Sequence, residues 1–269
     1  MKGLRIAVLF AAALCLHRAA AQDRKSIPPR DKDNPLTELI SGYEFTPLKL
    51  RALQDDDFDN PGFPAVWRGE KAWSTVEGAA NKSCASCHRN PAETMRSAGA
   101  TYPKYQEVAK GVVNLEQRIN MCRQNQMKAS PWPYESEALV DMTAYIRLQS
   151  RGMPVDVKID GPARDVFERG RLLYTTRVGQ LGMSCAHCHS DHYGKNYRAE
   201  VLSQGHSNGF PAYSAKARTL LSLHQRFRGC YLDMRAEPYD LGSPEFVALE
   251  LYLAWRGKGL MVEAPAVRR

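Results

Sequence analysis

Two pentapeptides, Cys84-Ala85-Ser86-Cys87-His88 and Cys185-Ala186-His187-Cys188-His189, bring together the residue types that attach a c-type haem. In a Cys-x-x-Cys-His run the two thiols add to the haem vinyl groups, and the adjacent imidazole is held against the iron as its proximal ligand. The histidine must therefore follow the second cysteine directly. A Cys-x-x-Cys pair can also serve a thioredoxin-type redox site or one half of a zinc site. Zinc would need the cysteines pooled into four-ligand sets, and no strand-rich βαβ pattern flanks either motif. Two covalently bound haem c groups are expected, with Cys84, Cys87, Cys185 and Cys188 as attachment residues and His88 and His189 as proximal ligands.

The N-terminus reads as an export signal. Lys2 and Arg5 precede an apolar run from Ile6 to Leu16, and Ala19-Ala20-Ala21 offers a small-residue cleavage site before Gln22. The run is too short to span a bilayer, and bulky Leu14 argues against a lipid anchor on Cys15. A cleaved, soluble periplasmic protein with no membrane span is expected. Losing residues 1–21 lowers the formal net charge from +8 to +5. That mild excess suits anionic partners but, with no run of closely spaced Lys and Arg, does not indicate nucleic acid.

The elements that must position the two motifs are themselves repeated. Arg68-Gly69-Glu70-Lys71-Ala72-Trp73-Ser74-Thr75 answers Arg169-Gly170-Arg171-Leu172-Leu173-Tyr174-Thr175-Thr176, at a separation of 101 residues that holds through His88 and His189. Downstream, Tyr102-Pro103-Lys104-Tyr105 answers Phe210-Pro211-Ala212-Tyr213 at a separation of 108, which continues to Cys122 and Cys230. The second copy thus carries about seven extra residues between Ser190 and Gly209. Two copies of this length mean tandem domains.

Periodicity within each copy is helical. Val66, Trp73 and Val76 share a stripe before the first motif, as do Val166, Phe167, Leu173 and Tyr174 before the second. Leu139, Met142, Tyr145 and Ile146 later answer Val247, Leu251, Tyr252 and Trp255. Gly69 and Gly170 fall inside the first helix of each copy, where glycine costs about 1 kcal/mol relative to alanine. Close crossing by the last helix of the copy would explain them. The pattern resembles the class I cytochrome c fold, in which terminal helices cross and enclose the haem. The expected fold class is all-α, two tandem class I cytochrome c-like domains related by internal duplication. A flexible polar arm is expected over 22–35, a first haem domain over 36–152, a linker over 153–162 and a second haem domain over 163–269.

Cys122 and Cys230 are left over. An oxidising compartment would favour a disulfide between them. The repeat argues instead for thiolate ligation, because each holds the place from which class I cytochromes supply a distal ligand, usually methionine. A Cys thiolate is an established axial ligand, so the expected axial pairs are His88 with Cys122 and His189 with Cys230. Met127 and Met234 are the rival ligands. His192, His206 and His224 have no counterparts in the first copy and read as surface or loop residues.

The two sites differ in their surroundings. Lys216, Arg218, Arg226, Arg228 and Arg235 stand around Cys230, with only Asp233 opposing them in that stretch. Such a cluster stabilises a thiolate and attracts a small oxyanion, although a solvated basic face would look the same. Arg226, four residues before Cys230, shares its side of a helix and could reach an anion beside the sulfur. Gly229 leaves room there, whereas Met121 would shield Cys122. Arg118 matches Arg226, so the arginine alone does not distinguish the sites.

Taken together, the paired Cys-x-x-Cys-His motifs, the Gln225-Arg226-Phe227-Arg228-Gly229-Cys230 segment and the equivalent Cys122 resemble the SoxA family over essentially the whole mature chain. SoxA proteins are the dihaem catalytic subunits of the periplasmic SoxAX L-cysteine S-thiosulfotransferase. Some members have lost the first haem, and retention of Cys84, Cys87 and His88 resembles the dihaem branch. The resemblance implies that Cys230 is the reactive sulfur, found in the family as a persulfide, and that Arg226 binds thiosulfate. The implied reaction joins thiosulfate oxidatively to a cysteine thiol of the SoxYZ carrier, with two electrons leaving through haem to an acceptor cytochrome c. A monohaem subunit, SoxX, would complete a heterodimer. Two other classes share the attachment chemistry. A thiosulfate dehydrogenase would couple two thiosulfates to tetrathionate without a protein thiol, and a pure electron-transfer cytochrome would need no basic pocket at Cys230.

Overall fold

Helices start where the sequence supplies a cap. Ser136, Ser222 and Ser243 each accept a first-turn backbone N–H, and Asn114 does so within a capping box completed by Gln117. The computed structural model describes residues 24–269, so the export segment lies outside the described residues. In chain order the helices are α1 (Leu48–Asp55), α2 (Phe63–Ser74), α3 (Cys84–His88), α4 (Pro91–Thr94), α5 (Ala98–Thr101), α6 (Leu115–Cys122) and α7 (Glu137–Leu148). There follow α8 (Arg164–Thr175), α9 (Cys185–His189), α10 (Leu223–Asp233) and α11 (Pro244–Arg256). Short strands pair between them: β1 (Ser26–Ile27) with β2 (Leu39–Ile40), β3 (Lys104–Gln106) with β4 (Gly111–Val113), and β5 (Asn196–Tyr197) with β6 (Glu200–Val201). A last sheet sets β7 (Ala212–Ser214) between antiparallel β8 (Thr219–Leu221) and parallel β9 (Ala266–Arg268).

The copies correspond helix by helix, α2, α3, α6 and α7 answering α8, α9, α10 and α11. In each, the first helix crosses the last at the glycine. A Cβ on Gly69 would overlap the Asp141 carbonyl and lie 2.8 Å from the Tyr145 Cβ. One on Gly170 would overlap the Ala248 carbonyl and lie 2.9 Å from the Tyr252 Cβ. Val66, Trp73, Leu139, Met142 and Tyr145 build one core, and Phe167, Tyr174, Leu251, Tyr252 and Trp255 the other. Val76 departs from its expected stripe and is 58% exposed, because α2 ends at Ser74 and the chain has turned away.

A difference of one residue separates the copies beyond the distal cysteines. The first copy follows α6 with a π-helical turn, Arg123–Met127, that closes on left-handed Lys128 (φ 55°). In the second copy α10 ends without such a turn, and Arg235 takes the left-handed position (φ 54°). A π turn accommodates one extra residue per turn, which brings the separation to 107 at Tyr145/Tyr252. In both copies the turn before the Cys-x-x-Cys-His run then packs identically, Gly78 against the Met127 carbonyl and Gly179 against that of Met234.

The N-terminal stretch departs from expectation. Residues expected as a flexible arm are fastened to the second copy: Trp255 Nε1 donates to Asp31 Oδ2 (2.9 Å) and Asn34 Nδ2 to the Arg256 carbonyl (2.9 Å). Beyond residue 36 the same partner is used. The Ile40 N–H donates to Gln204 Oε1 (2.8 Å) and Asn60 Nδ2 to the Pro265 carbonyl (3.0 Å). The stretch ahead of α2 therefore lies against the second copy. The linker is also packed, with Val155 and Val157 buried and the Val155 N–H donating to the Leu260 carbonyl (2.8 Å).

Between the copies, residues at the starts of α6 and α10 bond across a shared seam. Gln117 Nε2 donates to the Gly242 carbonyl (3.1 Å), and the Ser222 N–H donates to Glu135 Oε1 (3.1 Å). Glu250 Oε2 accepts from Asn114 Nδ2 (3.1 Å) and pairs with His224 Nε2 (3.0 Å), on whose ring Tyr134 stacks. Burial first, then the Glu250 charge, pushes the Glu116 carboxyl up to about 7. His224 is thus a buried seam residue within α10, contrary to its expected surface or loop position, while His206 lies in a loop but is buried and His192 is exposed.

Candidate functional site

Each Cys-x-x-Cys-His run is itself one capped helical turn. Ser83 and Ser86 exchange capping hydrogen bonds at α3; Ser184 and His187 do so at α9. Positions i, i+3 and i+4 share a helix face, so each motif presents both thiols and its imidazole in one direction. All six described cysteines are free, so the Cys122–Cys230 disulfide is not formed. Instead each distal cysteine stands near its own motif. Burial, and next the nearby Cys122, pushes the Cys84 thiol up to about 11. Burial, and next Cys230, pushes Cys185 to about 12.

The second imidazole is held from behind. His189 Nδ1 lies 2.8 Å from the Ser203 carbonyl. A ring nitrogen facing a carbonyl must carry the proton, which leaves the Nε2 lone pair for a metal. Burial is the main reason that the His189 pKa falls to about 4, so the ring is neutral. Gly205 (φ 74°) lies against it, and a Cβ there would stand 2.8 Å from His189 Cγ. Buried Arg256 donates to the His189 carbonyl (3.0 Å) and to Ser190 Oγ (2.9 Å), with its guanidinium over the Tyr174 ring. Ser203 and Gly205 belong to the extra segment of the second copy. In the first, the Trp73 ring packs 5.8 Å from that of His88. Unpartnered thiols on one face, an imidazole with its far nitrogen tied back and a further sulfur nearby all fit a c-type haem.

On α10, Arg226, Cys230 and Asp233 follow at helical spacing. Proximity to Cys230 is the largest influence raising the Arg226 pKa; burial opposes it, and Glu200 and Asp233 reinforce it. A Cβ on Gly229 would meet nothing within 4 Å, whereas Met121 packs against the first core. Lys216, Arg218, Arg228 and Arg235 are exposed. Met127 and Met234 are both buried, and Met234 belongs to the second core. Sequence reasoning missed Glu200, whose Oε2 lies 4.0 Å from Arg226 Nη2. It reaches the site through the β5–β6 hairpin of the extra segment, and no spacing pattern links it to α10.

Fold and site define a protein of tandem class I cytochrome c-like domains, with covalent haem c attachment and a cysteine–arginine pair in the second domain. Residues 68–155 and 169–262 each match the family described as SoxA/TsdA, cytochrome c domain. The chain is 48% identical to the L-cysteine S-thiosulfotransferase subunit SoxA of Pseudaminobacter salicylatoxidans, over 88% of this chain and 83% of that one. It is 44% identical to the subunit of the same name from Paracoccus pantotrophus, over 91% and 84%. The crystal structure of SoxXA from P. pantotrophus matches with a TM-score of 0.87 at 43% identity, covering 91% of this chain and 93% of that chain. The chain belongs to the SoxA family of L-cysteine S-thiosulfotransferase subunits. Among the described residues no helix is long and apolar enough to cross a membrane.

Proposed function

We propose that this chain catalyses the oxidative joining of thiosulfate to a cysteine thiol of a SoxYZ-type carrier, and that the reaction takes place at Cys230. The observation that carries this reading is that Arg226 stands one helical turn before Cys230 on α10, close enough for the cysteine to be the largest influence raising the Arg226 pKa. In the net reaction the carrier thiol and thiosulfate form an S–S bond, releasing one proton and two electrons to an acceptor cytochrome c. Thiosulfate and a thiolate are both anions and resist meeting directly. Cys230 lowers that barrier by joining thiosulfate first, in an S–S bond formed with loss of the thiol proton and two electrons, after which the carrier thiolate displaces the Cys230 thiolate and takes the thiosulfate group. Arg226 binds the thiosulfate oxyanion and offsets its charge as the bond forms. The open side at Gly229 leaves room for the carrier's cysteine to approach.

Two haem c groups are proposed: Cys84 and Cys87 would hold one, with His88 and Cys122 as its iron ligands, and Cys185 and Cys188 would hold the other, with His189 and Cys230. When bound, haem would supply a one-electron acceptor, so the two electrons of the net reaction require two such transfers. The match to SoxXA supports a heterodimer with a SoxX-type monohaem subunit, and the export signal supports a periplasmic location. The test is the intact mass of the carrier after incubation with the complex, thiosulfate and oxidised cytochrome c. A thiosulfate adduct that depends on this chain is the expected result. An unmodified carrier with tetrathionate accumulating would replace the proposal with a dehydrogenase, and neither product would leave an electron carrier.

A further inference from the structure

The segment that distinguishes the second domain from the first folds into the β5–β6 hairpin, and that hairpin lies across the turn of α10 that carries Cys230. Two ion pairs hold it there. Arg198, at the hairpin turn, reaches Asp233 (3.4 Å), and Glu200 on β6 faces Arg226 (4.0 Å). The partners on α10 sit four residues before Cys230 and three residues after it, so the hairpin brackets the cysteine from both sides. The Arg269 side chain also donates to the Ala199 carbonyl, tying the hairpin turn to the C-terminus. Beyond β6 the same segment supplies the Ser203 carbonyl that orients His189. The first domain has no equivalent, and its Arg118 has no carboxylate within ion-pair distance among the described residues.

We infer that Glu200 is a specificity-determining residue, an internal counter-ion that occupies the Arg226 guanidinium until a doubly charged sulfur oxyanion displaces it. The inference rests on Arg226 being the thiosulfate-binding side chain. Its physical basis is competition for one cation. Both members of the pair are partly exposed, at 47% and 36%, and their separation is at the outer limit of an ion pair. Such a pair is weak, so a thiosulfate dianion can break it. A monoanion offers the guanidinium no more charge than Glu200 already does, and gains little by exchange. The arrangement thus trades some affinity for selection among anions by charge. It also leaves Arg226 paired between turnovers.

The experiment uses the full chain in complex with its haem-bearing partner, with saturating carrier, and follows kcat and KM for thiosulfate at matched ionic strength set with either chloride or sulfate. Glu200→Gln is expected to lower KM about threefold, the scale of one exposed ion pair, with kcat changed by less than about twofold. Inhibition by chloride should sharpen in the same variant. Arg198→Gln releases the hairpin turn but keeps the Glu200 carboxylate, so it should not lower KM. If Glu200→Gln leaves KM and chloride inhibition unchanged, the inference is overturned. An equal fall in KM for Arg198→Gln would overturn it as well, since hairpin freedom and not the Glu200 charge would then be responsible. Arg226→Gln separates this failure from that of the underlying reading, because an unchanged KM in that variant would remove Arg226 from substrate binding altogether.

Discussion

Replacing Gly170 with alanine tests the helix crossing that builds the second haem domain. A new Cβ would lie 2.6 Å from the Ala248 carbonyl carbon and 2.9 Å from the Tyr252 Cβ. The first of these neighbours is backbone, so no rotamer change relieves the contact, and α8 must move away from α11. Alanine recovers about 1 kcal/mol of helix propensity. Overpacking a close interface costs about 1–3 kcal/mol, and a backbone-to-backbone clash belongs at the upper end. The net expectation is a loss of about 1–2 kcal/mol, which for a chain of this size lowers Tm by about 2–8 °C. Gly69→Ala should behave alike, because its Cβ would meet Asp141 and Tyr145 in the same way. Gly111→Ala is the control, since its nearest neighbour would be the Ala109 carbonyl at an ordinary 3.7 Å. Thermal unfolding of the haem-loaded proteins, followed by far-UV circular dichroism, separates these cases. If Gly170→Ala melts with or above the wild type, the close crossing does not account for the glycine.

Cys230→Ala should keep both haem attachments, visible by haem staining of the denatured chain, yet abolish thiosulfate transfer; full retained activity would sink the catalytic assignment. Glu116 gives a pH-dependent signature. Folding raises its pKa from 4.5 to about 7, so the native state keeps a proton that the unfolded chain has lost, and stability falls as pH rises through that window. Glu116→Gln has no proton to lose, so its advantage in denaturant unfolding over the wild type should widen from about pH 5 to about pH 7; a pH-independent difference would refute this. Arg256→Gln strands the carbonyls of Gln204 and His189 in the core and should cost about 3 kcal/mol. A loss below about 1 kcal/mol would show that water replaces the guanidinium.

The sequence revealed what local chemistry dictates. The Cys-x-x-Cys-His spacing is set by one cofactor and one helical turn, so α3 and α9 were legible without any tertiary information. Gly69 and Gly170 signalled the helix crossings because a glycine inside a helix needs a packing reason. The repeat carried the placement of Cys122 and Cys230 in separate domains. Features made by long-range pairing stayed hidden. Glu200 is brought to Arg226 by a hairpin whose two-residue strands have no periodicity to detect. The fastening of residues 24–60 depends on individual side-chain hydrogen bonds, and a polar Pro-containing composition reads the same whether or not they form. His224 stands buried in a helix, and loop-borne His206 is buried too, because burial of a histidine depends on its partners, here Glu250 and Gln204.

The seam between the domains changes what the duplication has become. Asn114, Gln117 and Glu135 of the first domain serve as hydrogen-bonding partners for Glu250, Gly242 and Ser222 of the second. None of those three is a haem-attachment residue. An ancestral lineage that lost Cys84 and Cys87 would forfeit a redox centre but keep this bracing. The bracing of the second domain by the first is therefore separable from haem attachment, so selection can discard Cys84 and Cys87 while the seam keeps the domain in the chain.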